Sequence, residues 1–328
     1  DNNNADTSSY FLADHEMGML AVSASLFSSN IGSEHFIGLA GDGARGGLAV
    51  AGYELSAGFM LVLLGWVFAP IYLQMGVFTM PEFLKKRFGS DRLRLVITVV
   101  SLALYAFTKL AASLYAAGLI LEFMLGWNVY VAAIAMVVAT GVYTAVGGLR
   151  TVVYTECFQT VILLLGGLVV AGISLSKVQG LEGLRSYVCD GNTTTWNSTS
   201  QCCQPHSDDD VNITSAPLSG EHLHLLRPVS DPDYPWTGMM FGMFCSSLWY
   251  WCCDQEIVQR TLCAKDERNA RLGCIGAAFL KITPMFMMVV PGMVAQALFP
   301  ADLCCGVWCG VLCPAVWCVV WCGVWCGV

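Results

Sequence analysis

Long apolar runs separated by short polar stretches recur along most of the chain, at about 17–41, 47–73, 95–121, 129–146, 151–175, 236–254 and 272–298. A helix needs about 20 predominantly apolar residues to cross the hydrocarbon of a bilayer. The pattern therefore predicts an all-α polytopic membrane protein with about seven transmembrane helices. The first run differs from the others. Ala21 to Phe27 and Phe36 to Ala40 are apolar, but Ser28-Ser29-Asn30-Ile31-Gly32-Ser33-Glu34-His35 stands between them. Neither apolar piece spans alone; together they make one crossing that breaks at mid-depth. Polar and ionisable groups persist there only against protein or a water-filled cavity. A broken helix also leaves free carbonyls at one half-helix end and free N–H groups at the other, which is how many secondary transporters hold a cation and a polar solute.

The polar stretches complete the organisation. Residues 1–16 are a polar lead-in, and 17–303 form the transmembrane domain, interrupted by a long polar loop at 176–235. The loops after the second, fourth and sixth runs carry ten Lys and Arg (Lys85, Lys86, Arg87, Arg92 and Arg94; Arg150; Arg260, Lys265, Arg268 and Arg271). Those after the first, third and fifth carry four (Arg45, Lys177, Arg185 and Arg227). Positive charge marks the cytoplasmic side, so 176–235 is expected outside. The same loop holds the glycosylation sequons at Asn192, Asn197 and Asn212, and Cys189, Cys202 and Cys203, which an oxidising compartment allows to pair. Seven of the 16 cysteines fall in Cys304 to Cys326, where Val-Trp-Cys occurs four times. That tail, 304–328, is expected to be low-complexity sequence foreign to the rest of the domain.

Composition narrows the function. Of the 328 residues 56% are hydrophobic and 12% charged, against roughly 25% charged in an ordinary soluble domain. The net charge of −8 lies mostly in the N-terminus and outer loop. Lys and Arg are few and sit in short loops, so nucleic acid is not an expected partner, whereas the lipid bilayer is. Zinc-protease, P-loop and nucleophile-elbow motifs are lacking, and the sequence reads as a non-enzyme without a cofactor.

A few polar residues inside apolar runs are candidates for chemistry. Glu54 is a carboxylate at mid-span, able to accept two hydroxyl hydrogen bonds as sugar binding requires, or to pair structurally with Lys109 or Lys281. Lys281 can donate to a sugar oxygen or neutralise a carboxylate. Asn30 and His35 add donors and acceptors in the break, though a membrane histidine can equally be a packing group. Ser246-Ser247-Leu-Trp-Tyr250-Trp251 offers hydroxyls and aromatic faces, suited to sugar C–H faces or to helix packing. Glu156 can bind a cation or complement a helix dipole.

These motifs together resemble the sodium/glucose cotransporters of the sodium–solute symporter superfamily. The resemblance runs from Tyr10-Phe-Leu-Ala13 to about Phe299. It includes Ser25-Leu-Phe-Ser-Ser-Asn-Ile-Gly-Ser33, Thr79-Met-Pro-Glu-Phe-Leu84, Phe107-Thr-Lys109, Gly147-Gly-Leu149, Leu248-Trp-Tyr-Trp-Cys252, Val258-Gln-Arg260 and Leu280-Lys281. It implies a five-plus-five inverted-repeat fold in the plasma membrane that couples sodium to uphill sugar movement by alternating access, with a myo-inositol carrier or a non-transporting sensor as alternatives. Position by position, Asn30, His35, Glu54 and Lys281 resemble sugar-binding residues, and Tyr53 and Ser247 pocket neighbours. Tyr250 resembles an inner-gate tyrosine, with Trp251 beside it. The carbonyls of Ser28 and Ile31 resemble half of a sodium site, and Glu156 stands where the family has an Asp linked to sodium coupling. Sodium is the one metal ion so implied. The family's helix ahead of the broken one, and its eighth and tenth helices with a sodium-site serine pair and a sugar-binding glutamine, have no counterpart here. The chain is therefore expected to be truncated at both ends and not to transport alone.

Loop 176–235 is expected to be glycosylated: glycosidase treatment of protein from a glycosylating cell should increase its gel mobility. No shift, with an external thiol label reaching 255–271, would invert the topology.

Overall fold

The structure, a computed structural model, describes Tyr10, residues 12–187, Leu218 and residues 220–298. The three sequons, Cys189, Cys202, Cys203 and the 304–328 tail lie outside the described residues. Within them the architecture is helical, and extended pairing is confined to the isolated bridges Met17–Ala264 and Arg227–Pro235. In chain order the α-helices are α1 (Met19–Asn30), α2 (Ala40–Gly46), α3 (Ala51–Leu63), α4 (Ala69–Met75), α5 (Met80–Phe88), α6 (Asp91–Leu104), α7 (Ala111–Leu125), α8 (Val129–Lys177), α9 (Gly180–Ser186), α10 (Met243–Cys253), α11 (Gln255–Leu262), α12 (Glu267–Leu280) and α13 (Val290–Leu298). Short π-helical turns such as His35–Leu39, Leu64–Phe68 and Tyr105–Leu110 join several of them.

Every predicted crossing is helical. His35–Met75, Asp91–Leu125, Val129–Lys177 and Glu267–Leu298 are each long and apolar enough to span a membrane. Helix α8 has 49 residues, too many for one crossing, and departs from helical geometry at Gly148 (φ 56, ψ −162). A Cβ at Gly148 would lie 2.8 Å from the Tyr10 carbonyl oxygen. Positive φ and close approach therefore both demand glycine, and the predicted runs 129–146 and 151–175 are the two arms. On α6 and the π-helical turn that follows it, Leu95, Val96, Val99, Val100, Leu102 and Phe107 are exposed, an apolar surface that lipid can cover.

Two stretches read as basic loops are helices instead. Thr79 accepts from the Glu82 backbone N–H at 3.4 Å, the Glu82 carboxylate accepts from the Phe78 N–H at 3.0 Å, and Gly89 ends α5 in the left-handed conformation. This is a reciprocal cap with Pro81 in the first turn. Helix α11 is likewise capped by Asp254, which accepts from the Glu256 N–H at 2.9 Å.

The chain forms two compact units, the first from Asp1–Glu34, Leu55–Leu163 and Phe241–Ile282, the second from His35–Glu54, Leu164–Met240 and Thr283–Val328. In the first, α1 and α12 pack closely because small residues line the contact. A Cβ on Gly276 would lie 2.2 Å from Ser23 Oγ, and one on Gly273 2.5 Å from Val22. Ser23 Oγ donates to the Gly273 carbonyl at 3.0 Å. Close backbone approach and interhelical hydrogen bonds are what hold helices together where lipid is as apolar as the side chains. Leu26, Leu61, Leu64, Tyr72, Ile257 and Leu262 form the buried core around them.

In the second unit α2 and α13 approach in the same way. A Cβ on Gly292 would lie 2.1 Å from the Ala40 carbonyl oxygen, and one on Gly43 2.9 Å from the Val289 backbone. The end of the loop read as wholly polar, 220–236, is a packed strap in this unit. Arg227, 7% exposed, donates to the Gly46 carbonyl at 2.5 Å and to Asp231 at 3.2 Å, while the backbone N–H groups of Tyr234 and Asp233 donate to the other Asp231 oxygen at 2.7 and 2.9 Å.

The Tyr234 N–H holds the Asp231 carboxyl below its ordinary value of 3.8; burial opposes this, and the Asp233 N–H and Arg227 add to it. Because the folded value is the lower one, the contribution to strap stability is complete above the ordinary value and disappears as pH falls through the folded value. Hydrogen exchange over 220–236, corrected for intrinsic rates, should be unchanged from pH 7 to 5 and accelerate below about pH 3.8. Asp231→Asn should remove that acid step.

Candidate functional site

Helix α1 ends where the sequence predicts a break. Its last residue is Asn30, and Ile31 already has extended geometry (φ −86, ψ 93), its N–H reaching the Phe27 carbonyl at 3.1 Å. The final carbonyls of a helix lack intrahelical donors, so those of Ser28 and Ile31 lie where a cation could use them. Beyond the break, Ser33 Oγ donates to the Ser113 carbonyl at 3.0 Å, and the Glu34 carboxylate folds back over Gly32.

Within the first unit four of the sequence-predicted residues meet. The Asn30 amide is their hub. Its oxygen accepts from Lys281 Nζ, and its nitrogen donates to the Tyr250 hydroxyl at 2.9 Å. Lys281 is 1% exposed and sits 5.0 Å from the centre of the Trp251 ring, which packs edge-on to Tyr250 at 5.2 Å. A buried ammonium needs acceptors or aromatic faces, and Lys281 has both. Its placement has a backbone cause. Proline at 284 cannot donate to the carbonyl four residues earlier, and α12 stops at Leu280, so Lys281 lies at a turn between helical segments. Ser247 is half-buried on α10, one turn before Tyr250.

Within the second unit the other three residues are neighbours. Glu54, 6% exposed, lies 3.7 Å from His35 Nε2, and the Tyr53 ring meets the edge of Tyr234 at 6.4 Å.

Glu156 occupies a different setting from the one its sequence position suggests. One oxygen accepts from Arg260 at 2.5 Å and the other from Ser25 Oγ. All three side chains are buried, so α8, α11 and α1 are tied by one ion pair with a hydroxyl. Both carboxylate oxygens are occupied by protein donors.

Sequence reasoning did not single out Arg260, which it counted as a loop charge; its partner lies 104 positions away and gives no local signal. It offered Lys109 as a partner for Glu54 and did not foresee the partners that the fold supplies. Lys109 Nζ donates to Glu256, lies 3.9 Å from Asp254 and stacks 4.9 Å from the Tyr250 ring. Together with Glu34, Tyr105 and Arg260 this lysine lines a cavity of about 660 Å³ in the first unit. Polar side chains converging on a cavity of this size suit a small hydrophilic solute or its passage.

The chain resembles known proteins along nearly its whole length. A profile of the sodium:solute symporter family matches residues 10–316. The chain is 43% identical to the sodium/myo-inositol cotransporter 2 of Bos taurus over 296 residues, which are 90% of this chain and 42% of that protein. It is 41% identical to the sodium/glucose cotransporter 1 of Ovis aries over 313 residues, 93% of this chain and 45% of the relative. It thus spans rather less than half the length of the curated relatives it matches. The outward-open structure of a Na+-coupled sialic acid symporter superposes with a TM-score of 0.75 at 18% identity, covering 95% of this chain and 61% of that one, a likeness of fold. With its broken first helix, its multi-pass helical fold and this match along nearly its whole length, the chain belongs to the sodium:solute symporter family.

Proposed function

We propose that the chain carries solute-binding machinery of a sodium-coupled symporter for a sugar or a cyclic polyol such as myo-inositol, working by alternating access in the plasma membrane. The observation that carries this reading is the Lys281–Asn30–Tyr250–Trp251 cluster. It offers a cation, an amide with both donor and acceptor character, a phenol and an indole face within one set of contacts. A polyhydroxylated ring presents hydroxyls at its rim and C–H groups on its faces, and such groups match both. Within the second unit Glu54 and His35, with Tyr53 beside them, are a polar group of their own, a carboxylate acceptor next to an imidazole. The names of the relatives, glucose and myo-inositol cotransporters alike, support both solute classes.

Sodium enters this reading through the end of α1. Ser28 and Ile31 are one residue pair on either side of the Asn30 hub, so a cation on their carbonyls and a solute on the Asn30 amide would bias the same stretch of backbone. A ligand shifts a conformational equilibrium only by its difference in affinity for the two states, and sharing that stretch lets each ligand stabilise the state the other prefers. Glu156 is assigned an indirect part, fixing α1 through Ser25. Glycosylation of Asn192, Asn197 and Asn212 belongs to the same proposal.

The test is binding of tritiated glucose and myo-inositol to the purified chain in lipid nanodiscs, in sodium against choline. Saturable, sodium-stimulated binding of at least one solute is the expected result; binding of neither, in either ion, rejects the reading.

Glu54→Ala should weaken that binding by roughly 5- to 150-fold, the equivalent of about 1–3 kcal/mol for solute hydroxyls left unpaired. Unchanged affinity would leave Glu54 with a structural role alone. Arg260→Met should lower stability by about 3–5 kcal/mol, because it strands the buried Glu156 carboxylate, and the double variant Glu156→Gln/Arg260→Met should recover most of that loss. Thermal unfolding in detergent checks both.

A further inference from the structure

The strap at 220–236 makes an aromatic contact with a residue assigned to the solute pocket, and several bonds hold the ring on the strap side. Tyr234 meets Tyr53 edge to face, with ring planes at 82°. The Tyr234 ring also lies against Gly46, where a Cβ would come within 2.7 Å of it. The Arg227 guanidinium stacks 5.5 Å from the same ring while bonding the Gly46 carbonyl and Asp231. Asp231 in turn fixes the Tyr234 backbone.

The strap is pinned at a second point. Gly47 has φ +65, and a Cβ there would lie 2.2 Å from the His222 carbonyl oxygen. The His222 ring bonds the Arg45 carbonyl at 2.8 Å. The junction that leads from α2 into α3, and so to Tyr53 and Glu54, is thus clasped from residue 222 to residue 234. Such a clasp restricts which rotamers and which small backbone shifts Tyr53 can adopt.

We propose that Tyr234 is a positioning residue for solute selectivity: held by Arg227, it sets the orientation of the Tyr53 ring and thereby the shape of the pocket wall beside Glu54. The inference rests on the reading of Tyr53 and Glu54 as solute-facing residues. Glucose and myo-inositol differ in ring substituents more than in size, so a displaced aromatic wall changes their relative affinities rather than abolishing both.

The experiment measures Kd for glucose and for myo-inositol with the whole chain in nanodiscs, in sodium, for wild type, Tyr234→Phe, Tyr234→Leu, Arg227→Lys and Glu54→Ala. Loss of the ring should change the ratio of the two Kd values by about 2- to 10-fold, the range that one aromatic pair supports. Tyr234→Phe keeps the ring and should keep the ratio. Arg227→Lys retains charge but cannot bridge Gly46 and Asp231 with a planar fork, and should shift the ratio in the same direction by less. It also serves as the deciding variant should Tyr234→Leu fail to fold. If Glu54→Ala weakens binding while the Tyr234 and Arg227 variants leave the ratio unchanged, or scale both affinities equally, the inference is overturned and the function stands. If Glu54→Ala binds as wild type, or wild type binds neither solute, both fall.

Discussion

A helix that stops inside an apolar segment must give its last carbonyls and its polar side chains something other than lipid to bind. That constraint, imposed at Asn30 to Gly32, accounts for much of the first unit. Asn30 can sit there because Lys281 and Tyr250 satisfy both ends of its amide. Lys281 can be buried because Asn30 and Trp251 receive its charge. Ser33 is met by the Ser113 carbonyl, and Ser25 by Glu156. These partners come from four other helices, so the break in α1 is stable only when α7, α8, α10 and the end of α12 are assembled around it.

The same logic explains why function and packing are hard to separate here. A site that binds a polyol must hold polar groups in readiness, and within a membrane every such group needs an interim partner. The hydrogen bonds from Lys281 to Asn30 and from Asn30 to Tyr250 give each of these polar groups a protein partner. The buried Glu156–Arg260 pair is the contrasting case, since its charges already satisfy each other and a neighbouring hydroxyl. Groups of the first kind can exchange partners with a solute at small net cost, whereas opening the second leaves a charge unpaired in the interior.

Much of the fold was legible because hydrophobic length and glycine positions act locally. The seven crossings, the break after Asn30 and the turn at Gly147 to Arg150 all follow from short stretches of sequence. The helices at Met80–Phe88 and Gln255–Leu262 were hidden by their Lys and Arg, although Thr79 with Glu82, and Asp254, carry a capping signal. Part of the candidate site was legible for a different reason: an isolated polar residue in an apolar run stands out, as Glu54 and Lys281 do. What it bonds does not. Arg260 lies in a basic segment where one more arginine carries no information, and only the fold brings it to Glu156. The strap was obscured in a similar way, because Arg227, Asp231 and Tyr234 look like ordinary members of a polar loop until they are seen on Gly46.

The 49-residue helix interrupted at Gly148 bears on how this protein is made. Its two arms leave the ribosome as one nearly continuous apolar stretch, and the connection between them is only a few residues long. So short a connection leaves the two arms little chain with which to enter the bilayer independently of each other. The cue for reversal is confined to a glycine whose dihedrals other residues avoid and to Arg150, whose charge holds the turn at the membrane surface and reaches Glu16 at 3.4 Å. The local geometry of this part of the chain thus turns on two neighbouring positions, Gly148 and Arg150.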